Sequence, residues 1–237
     1  MGSTDAKLIL YTNHRCPWAQ RAHIILDELK IPYEEVIIDL NTPRTPEYLK
    51  INPRGLVPAL SYNGEIIIES AIVANFIADA YPSHLLPPSN TQEGALQRAR
   101  VALFVDAFIN KFNSGLWALF TTVGEEARAE IVEKAVAGLV KEVEPLLANA
   151  APFFGGSDKL TQAEVLTGSF VLRVKALSKP EANTYPASLW TAITERAPNF
   201  TKWAEAVVAH PSVTSIWDEA AVVEGIKAKI AQLKAQK

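Results

Sequence analysis

Residues 8–21 read LILYTNHRCPWAQR, and they decide the fold because they carry the only cysteine of the chain, Cys16, between a strand pattern and a helix pattern. Residues 8–11 form an apolar run of strand length, and from residue 22 onward apolar side chains recur at helical spacing. Pro17 suits the first position of a helix, where its missing N–H costs nothing. The sequence therefore predicts that Cys16 is the N-cap residue of the first helix.

A cysteine at a helix N-terminus is a common setting for a reactive thiolate. The unpaired N–H groups and the positive end of the helix dipole stabilise the charged sulfur, and Arg15, Arg21 and a charged His14 would add positive potential. We therefore expect a thiol pKa below the free value of about 8.5. The alternative is that a lone cysteine is a small buried hydrophobe. The strand, proline and helix context favours the reactive thiol.

Composition limits the possible functions of the 237 residues. The length suits two compact domains, and 49% hydrophobic and 21% charged residues are typical of globular proteins. A formal net charge of −3 argues against a nucleic-acid partner. No apolar run approaches the ~20 residues that cross a bilayer, and no signal-peptide core is visible, so we expect a cytoplasmic protein without membrane contact. One cysteine excludes an intramolecular disulfide, so redox chemistry at Cys16 needs an outside thiol.

The pattern after the first helix continues with short strands and helices. A strand that follows the first helix implies a crossover and parallel pairing. Asn63-Gly64 is the strongest hairpin signal of the chain. The predicted elements are a strand at 33–40, a short helix near Tyr48, strands at 57–61 and 65–68, and a helix that Ser70 caps and that ends near Tyr81.

The second part of the chain is predicted to be helical. Residues 83–91 contain Pro87-Pro88 and form the clearest linker, which gives a first domain at 1–82 and an all-helical domain at 92–237. Thr161-Gln162-Ala163-Glu164 has the pattern of a capping box. Two apolar stripes are expected in the core of this domain: Leu96, Ala99, Leu103 and Ala107 with Phe104, Phe108 and Phe112, and Ile131, Ala135, Leu139, Val143 and Leu147.

The order β-α-β-α-β-β-α, with Cys16 at the first helix start and Val57-Pro58 before the third strand, resembles the thioredoxin-like domain of glutathione transferases. The capping box resembles that of the core helix in their second domain, with Glu164 where an aspartate is more usual. The resemblance implies the glutathione transferase fold, an α/β thioredoxin-like N-terminal domain followed by an all-α helical domain. It also implies a cis Val57–Pro58 bond and a homodimer.

The same resemblance implies a glutathione site in the first domain. The main chain of Val57 would pair with the cysteinyl part of glutathione, with Leu56 in contact beside it. Trp18 would form a wall of the pocket. Arg44 is a candidate for the glycyl carboxylate, and it is equally compatible with a solvated loop charge.

Glu69 and Ser70 match the family's pair for the γ-glutamyl end of glutathione. The Ser70 hydroxyl and the N–H groups of the helix N-terminus suit the α-carboxylate, and the Glu69 carboxylate suits the ammonium group. A plain helix cap with a flanking acid is the alternative for this pair.

Residues 16–21, CPWAQR, are similar to the cysteine-type, omega-like class of glutathione transferases. Members of that class are glutathione-dependent thiol transferases, active in deglutathionylation and dehydroascorbate-type reduction. The resemblance implies that Cys16 attacks a glutathionyl mixed disulfide, holds glutathione as Cys16–S–SG, and is released by a second glutathione. Ala19 leaves no second cysteine three residues on, which excludes a dithiol cycle. Glutathione is therefore the expected co-substrate, a small molecule or protein thiol the second substrate, and no metal is expected.

Two other functions stay open at this stage. Tyr11 ends the first predicted strand, near where tyrosine-type transferases keep the hydroxyl that activates glutathione, so conjugation of electrophiles is the alternative. A tyrosine that only fills the strand end is also compatible with the sequence. The third function is a non-catalytic glutathione-binding or regulatory protein on the same fold.

Overall fold

A four-stranded mixed sheet with three helices forms the first part of the computed structural model, which describes residues 6–235. The predicted order β-α-β-α-β-β-α and the helical region after it are both present, which confirms the fold class. The domain spans 1–82 and 92–237 and the linker 83–91 stay predictions, and residues 1–5 and 236–237 of those spans lie outside the described part. The elements are β1 (Leu8–Thr12), α1 (Pro17–Glu28), β2 (Glu34–Ile37), α2 (Pro46–Ile51), β3 (Ala59–Tyr62), β4 (Glu65–Ile68) and α3 (Ser70–Ala80).

The strands lie in the order β2-β1-β3-β4. β1 runs parallel to β2, as the crossover predicts, and antiparallel to β3. Leu10 pairs with Leu60 in the ladder, and both side chains are fully buried. The hairpin between β3 and β4 turns at Asn63 and Gly64, whose φ values of 52° and 92° are the left-handed values that a type I′ turn needs. The hairpin prediction is confirmed.

Strand β2 is shorter than the predicted span of 33–40. It ends at Ile37, the last residue paired with β1, and all four of its residues are exposed because β2 is an edge strand. The N–H of Ile38 still donates to the Thr12 carbonyl at 2.8 Å. The chain then turns at Asp39, whose carboxylate accepts from the Asn41 N–H at 2.8 Å. This side-chain turn competes with further strand pairing and ends β2.

The second part of the protein is helical. None of the helices among the described residues combines the length and the apolar character needed to span a membrane. Its α-helices are α4 (Gln92–Ala107), α5 (Glu125–Gly138), α6 (Gln162–Leu177), α7 (Ser188–Arg196), α8 (Pro198–Ala209), α9 (Pro211–Thr214) and α10 (Glu219–Ala235). Shorter turns of π type lie at Phe108–Phe112 and Leu139–Val143, and of 3-10 type at Asn113–Phe120, Glu144–Leu147, Phe154–Gly156 and Pro180–Ala182.

Helices α4 and α5 both continue into π-helical turns that pack against each other. Gly138 lies at this contact, and a Cβ atom there would stand 2.1 Å from the Lys111 carbonyl oxygen. A glycine is therefore required for the two backbones to approach this closely.

The predicted apolar stripe of α4 is only partly correct. Phe104, Phe108 and Phe112 are buried in the core, but Leu96 and Leu103 are 51% and 56% exposed. Helical spacing shows that a face is apolar, but it does not show whether the face lies inside the domain or on its surface. The stripe of α5 is largely confirmed, with Ala135, Leu139, Val143 and Leu147 buried.

Helix α6 begins with the predicted capping box and is buried along almost its whole length. The Thr161 hydroxyl accepts from the Ala163 N–H at 3.2 Å, and the Glu164 carboxylate accepts from the Thr161 N–H at 2.8 Å. The same carboxylate accepts from the Phe154 N–H at 2.8 Å and from the Trp203 indole N–H at 2.6 Å. The capping box thus also connects α6 to α8 and to the preceding loop.

Candidate active site

A cavity of about 530 Å³ lies where α1, the loop before β3 and the start of α3 meet. All seven predicted site residues line it: Cys16, Trp18, Arg44, Leu56, Val57, Glu69 and Ser70. The sequence therefore identified residues that the fold brings together, although they are spread over 55 positions. The remaining lining residues are Arg21, Leu40, Asn52, Gly55, Pro58 and Ala71.

Cys16 is the N-cap residue of α1, as predicted. Its backbone is extended, with φ −85° and ψ 119°, and Pro17 occupies the first helical position. The Cys16 N–H donates to the Asn13 carbonyl at 3.0 Å, which closes the turn between β1 and α1. The sulfur makes no capping hydrogen bond, although the N–H groups of Ala19 and Trp18 lie near enough to stabilise a thiolate. The one thiol of the chain therefore lies at a helix start and in the cavity wall.

Burial raises the pKa of the Cys16 thiol above its ordinary value. The N–H groups of Ala19 and Trp18, and then the charges of Arg173 and Arg21, lower this pKa, but together they do not offset the loss of solvent. The predicted depression of the pKa is therefore wrong for the free protein. The reason is that Cys16 packs against Tyr48 and Val57, which are distant in the sequence, and a local sequence pattern does not show this burial.

Arg173 on α6 lies near Cys16, and no sequence pattern predicts this position. Its guanidinium donates from Nη1 to Gln20 Oε1 at 2.6 Å and from Nη2 to the Arg15 carbonyl at 3.0 Å, so it is bonded to residues on both sides of Cys16. Burial lowers the pKa of Arg173 to about 10, which leaves the group charged at neutral pH. No local motif surrounds Arg173, and only the packing of α6 against α1 brings it to the thiol.

Arg21 connects three elements at the cavity wall. Its Nη1 donates to the Ser70 hydroxyl at 3.1 Å, and its Nε donates to the Leu166 carbonyl at 2.8 Å. The guanidinium lies 4.6 Å from the ring centre of Trp18 and 5.1 Å from that of Phe170, within cation–π range. The Trp18 ring itself packs edge-on against Phe170, with ring centres 4.7 Å apart. Trp18 is therefore held as a rigid part of the wall.

Glu69 and Ser70 lie side by side where β4 meets α3. Glu69 is the N-cap residue with a φ of 71°, an uncommon value for a residue other than glycine, and no side chain caps the helix. The prediction that Ser70 caps α3 is wrong, because Ser70 is the first helical residue and its hydroxyl is bonded to Arg21. The Glu69 carboxylate forms an ion pair with Arg54. Backbone strain of this kind is often kept at ligand sites.

The Val57–Pro58 peptide bond is cis, as the resemblance implies. Within residues 6–235, no protein group hydrogen-bonds the main-chain N–H or carbonyl of Val57. The neighbouring carbonyl of Leu56 is occupied, since it accepts from the Tyr48 hydroxyl at 2.5 Å and from Asn52 Nδ2 at 2.7 Å. The Val57 main chain thus has one donor and one acceptor available in the cavity wall.

Arg44 is half-buried in the cavity wall and is not a freely solvated charge. Its Nε donates to the Gly55 carbonyl at 2.9 Å, and its Nη1 donates to the carbonyls of Asp39 and Thr42, each at 2.6 Å. A Cβ at Gly55, where φ is +63°, would stand 3.0 Å from Arg44 Cγ. The loop from Asp39 to Gly55 is therefore built around this arginine.

Tyr11 does not belong to the described lining of the cavity. It is half-buried in β1, and its ring packs against Tyr48 with ring centres 5.9 Å apart. It also packs with Cys16 against the small apolar cluster of Ala19 and Val57. This position agrees with the simpler alternative, a tyrosine that fills the strand end.

Comparison with known proteins gives a consistent result. The family described as "Glutathione S-transferase, N-terminal domain" matches residues 15–80. Glutathione S-transferase omega-1 of Sus scrofa is 30% identical over 199 residues, which cover 80% of this chain and 77% of that protein.

Two solved structures extend the likeness to nearly the whole chain. Glutathione transferase Omega 2C from Trametes versicolor is 29% identical, with a TM-score of 0.80 and coverage of 95% of this chain and 99% of that one. Rice GST1, solved in complex with glutathione, has a TM-score of 0.79 at 22% identity and covers 96% of this chain and 98% of its own. At this identity, the similarity to the rice protein shows a shared fold only.

Proposed function

The chain belongs to the glutathione transferase family, and we propose that it is an omega-like thiol transferase in which Cys16 forms a mixed disulfide with glutathione. One observation carries this proposal. The only thiol of the chain opens into the cavity that also holds the free main-chain groups of Val57 and the side chains of Glu69 and Ser70. A nucleophile and a set of groups that match a peptide-like substrate therefore share one space.

The charges around the cavity suit the two ends of glutathione. At one end, the Ser70 hydroxyl accepts from Arg21 and keeps its own proton for a carboxylate oxygen, so it can donate to the γ-glutamyl carboxylate. The Glu69 carboxylate is available for the ammonium group, in competition with Arg54. At the other end, Arg44 is held by main-chain carbonyls and can present its remaining N–H groups to the glycyl carboxylate.

The reaction consists of two thiol–disulfide exchanges. The Cys16 thiolate attacks the glutathione sulfur of a mixed disulfide R–S–SG, the Cys16–S–SG bond forms, and RS⁻ leaves and takes up the proton that Cys16 released. The thiolate of a second glutathione then attacks the same sulfur, giving oxidised glutathione and returning the Cys16 thiol. The balance is RSSG and GSH to RSH and GSSG. Ala19 offers no resolving thiol, so a second glutathione is required.

A conjugating transferase is the second candidate, and one observation favours it. Burial raises the pKa of Cys16, and a neutral thiol can donate a hydrogen bond to a bound glutathione thiolate instead of attacking a disulfide. In that case Cys16 would replace Tyr11 as the activating group, since Tyr11 packs on Tyr48 outside the described cavity lining. The second substrate would then be an electrophile.

Three measurements on the wild type and Cys16→Ala separate these functions. The first is retention on glutathione-agarose, the second is turnover of a glutathionylated thiol with glutathione, and the third is conjugation of a chloronitrobenzene. The proposal requires retention by both proteins and thiol transfer by the wild type only. Conjugation without thiol transfer would favour the second candidate. Retention without either turnover would favour a non-catalytic glutathione-binding protein.

We also propose that the protein forms a homodimer and that it lies in the cytoplasm. Leu96 and Leu103 on α4 and Ile72 on α3 are large apolar side chains that are more than half exposed, as at a surface that a second copy covers. A single free cysteine suits a reducing compartment. Light scattering should give twice the chain mass for the wild type and the chain mass for Leu96→Glu with Leu103→Glu.

A further inference from the structure

Two histidines and a glutamate lie close together where β1, α1 and β2 meet, and none of them is among the residues described as lining the cavity. His14 lies in the turn after β1, His23 on α1 and Glu35 on β2. His14 Nε2 is 2.6 Å from Glu35 Oε1, and His23 Nε2 is 3.5 Å from the same oxygen. One ligand atom from each residue lies within 4.8 Å of the others. Their spacing in the sequence matches no metal motif, so the cluster is visible only in the folded chain.

We propose that His14, His23 and Glu35 bind a divalent transition metal ion of the zinc type. Two imidazoles and one carboxylate form a donor set that Zn²⁺ accepts, and a three-residue set leaves one position for water. A tetrahedral ion about 2.0–2.1 Å from each donor holds its ligand atoms about 3.3 Å apart. The 3.5 Å separation of His23 and Glu35 already fits this requirement. The His14–Glu35 pair must open from 2.6 Å, and the ligand atoms of His14 and His23, which lie within 4.8 Å of each other, must come to a similar separation.

The two residues that must move are free to do so, and the third is held in place. The side chains of His14 and Glu35 are 45% and 31% exposed, whereas that of His23 is fully buried. His14 also meets His23 edge to face, with ring centres 5.3 Å apart. The site thus consists of one fixed ligand at the base and two adjustable ligands at the surface.

A hydrogen bond from outside the cluster already orients the buried His23 ring. His23 Nδ1 lies 2.9 Å from the Tyr33 hydroxyl, and a hydrogen bond at that nitrogen fixes the ring and turns Nε2 toward the cluster. The Thr12 hydroxyl lies 2.8 Å from Nε2 and is the group that an ion must displace. The ion would take the Nε2 lone pair, so it exchanges one hydrogen bond to a neutral hydroxyl for a metal–nitrogen bond.

The chain contains a second pair of histidines that serves as an internal comparison. His84 Nε2 lies 2.9 Å from Glu28 Oε1, and His210 Nδ1 lies 3.8 Å from the other oxygen, Oε2. The Ser212 hydroxyl donates to that Oε2 at 2.5 Å. The two histidines therefore approach opposite oxygens of one carboxylate. Of the residues that the structure describes, only the His14 group brings three such atoms together.

The test titrates the full chain with Zn²⁺ by calorimetry and with Co²⁺ by visible absorption. The expected result is one equivalent bound by the wild type, with the intense d–d bands of four-coordinate Co²⁺. His14→Ala and Glu35→Gln should each weaken binding at least tenfold, and both positions are exposed enough to be changed without unfolding the protein. His84→Ala is the matched control and should bind as the wild type does.

Cys16→Ala is titrated in parallel, because the thiol is the strongest alternative metal ligand in the chain. Unchanged binding in this variant assigns the ion to the histidine cluster. The proposal is overturned if the wild type binds no stoichiometric Zn²⁺. It is also overturned if binding survives in both His14→Ala and Glu35→Gln, or if it is lost in Cys16→Ala or His84→Ala instead.

Discussion

Arg21 Nη1 and Ser70 Oγ are joined by a buried hydrogen bond of 3.1 Å at the wall of the cavity that Cys16 lines. This bond connects the helix that begins at Cys16 to the start of α3. It also determines the role of Ser70, because a hydroxyl that accepts from a guanidinium still has its own proton to donate. Ser70 therefore keeps a proton that it can donate to a ligand, which supports its place in the proposed glutathione site.

Ser70→Ala should weaken glutathione binding by about 1.5–3 kcal/mol, the value of a hydrogen bond to a charged group. The variant should also lose about 1–3 kcal/mol of stability, because Arg21 Nη1 is left buried without this acceptor. Calorimetric titration and thermal unfolding measure the two effects. Thr91→Ala is the control, since Thr91 accepts from the Gly94 N–H and caps α4 away from the cavity. It should lose stability only, and equal glutathione affinity in Ser70→Ala would contradict the assignment.

The Cys16 thiol should titrate above the ordinary value of about 8.5 in the free protein, because burial raises its pKa. A raised pKa keeps the thiol neutral at pH 7, so the rate of iodoacetamide alkylation should still be rising with pH above 8.5. Intact mass measured over a pH series gives the midpoint. A midpoint below that of free cysteine would mean that the helix N–H groups and the arginines outweigh burial.

Arg173→Gln should raise the pKa of Cys16 further, since the charge of Arg173 lowers this pKa more than the charge of Arg21 does. At a fixed pH below the midpoint, alkylation should slow severalfold. Arg173→Lys keeps the charge and should recover part of the rate, which a purely structural role would not predict. Arg100→Gln, an exposed change on α4, is the control and should leave the profile unmoved.

Oxidised glutathione should add one glutathione to the wild type by intact mass and none to Cys16→Ala. Thiol transfer should disappear in this variant, because no other thiol exists in the chain. Full thiol transfer by Cys16→Ala, together with loss of turnover in Tyr11→Phe, would make Tyr11 the activating group and the protein a conjugating transferase.

Glu164→Ala should destabilise the protein by at least about 3 kcal/mol, because it leaves the buried N–H groups of Phe154, Thr161 and Trp203 without their acceptor. Denaturant unfolding measures the loss. Glu130→Ala, an exposed change on α5, should shift stability by less than about 0.5 kcal/mol. A similar small shift at Glu164 would show that water replaces the carboxylate without cost.

The sequence predicts those features that depend on a few consecutive residues. The N-cap position of Cys16, the Asn63-Gly64 turn and the capping box at Glu164 each depend on a few consecutive residues with defined backbone preferences, and each is present in the structure. The family resemblance added the cis bond before Pro58 and six of the residues that line the cavity.

Features that depend on distant contacts were not predicted. Ser70 looked like a cap because nothing in its neighbourhood shows that Arg21 would take its hydroxyl. Arg173 lies 157 positions after Cys16, and only packing between domains joins them. Packing against Tyr48 and Val57 buries the thiol, and this burial reverses the expected direction of its pKa shift. Helical spacing predicts a buried Leu96, which is 51% exposed, because spacing alone does not distinguish an inner face from an outer one.

Three buried polar contacts join α1 to the helical domain: Arg173 Nη1 to Gln20 Oε1 at 2.6 Å, Gln20 Nε2 to the Val213 carbonyl at 3.0 Å, and Arg21 Nε to the Leu166 carbonyl at 2.8 Å. The position of the Arg173 cation near Cys16 is therefore a property of the docked pair of domains and not of the sheet. Loss of docking removes Arg173, and with it one of the charges that lower the pKa of Cys16. Turnover should therefore depend on the association of the two domains. Mild denaturant should abolish turnover before it melts any secondary structure.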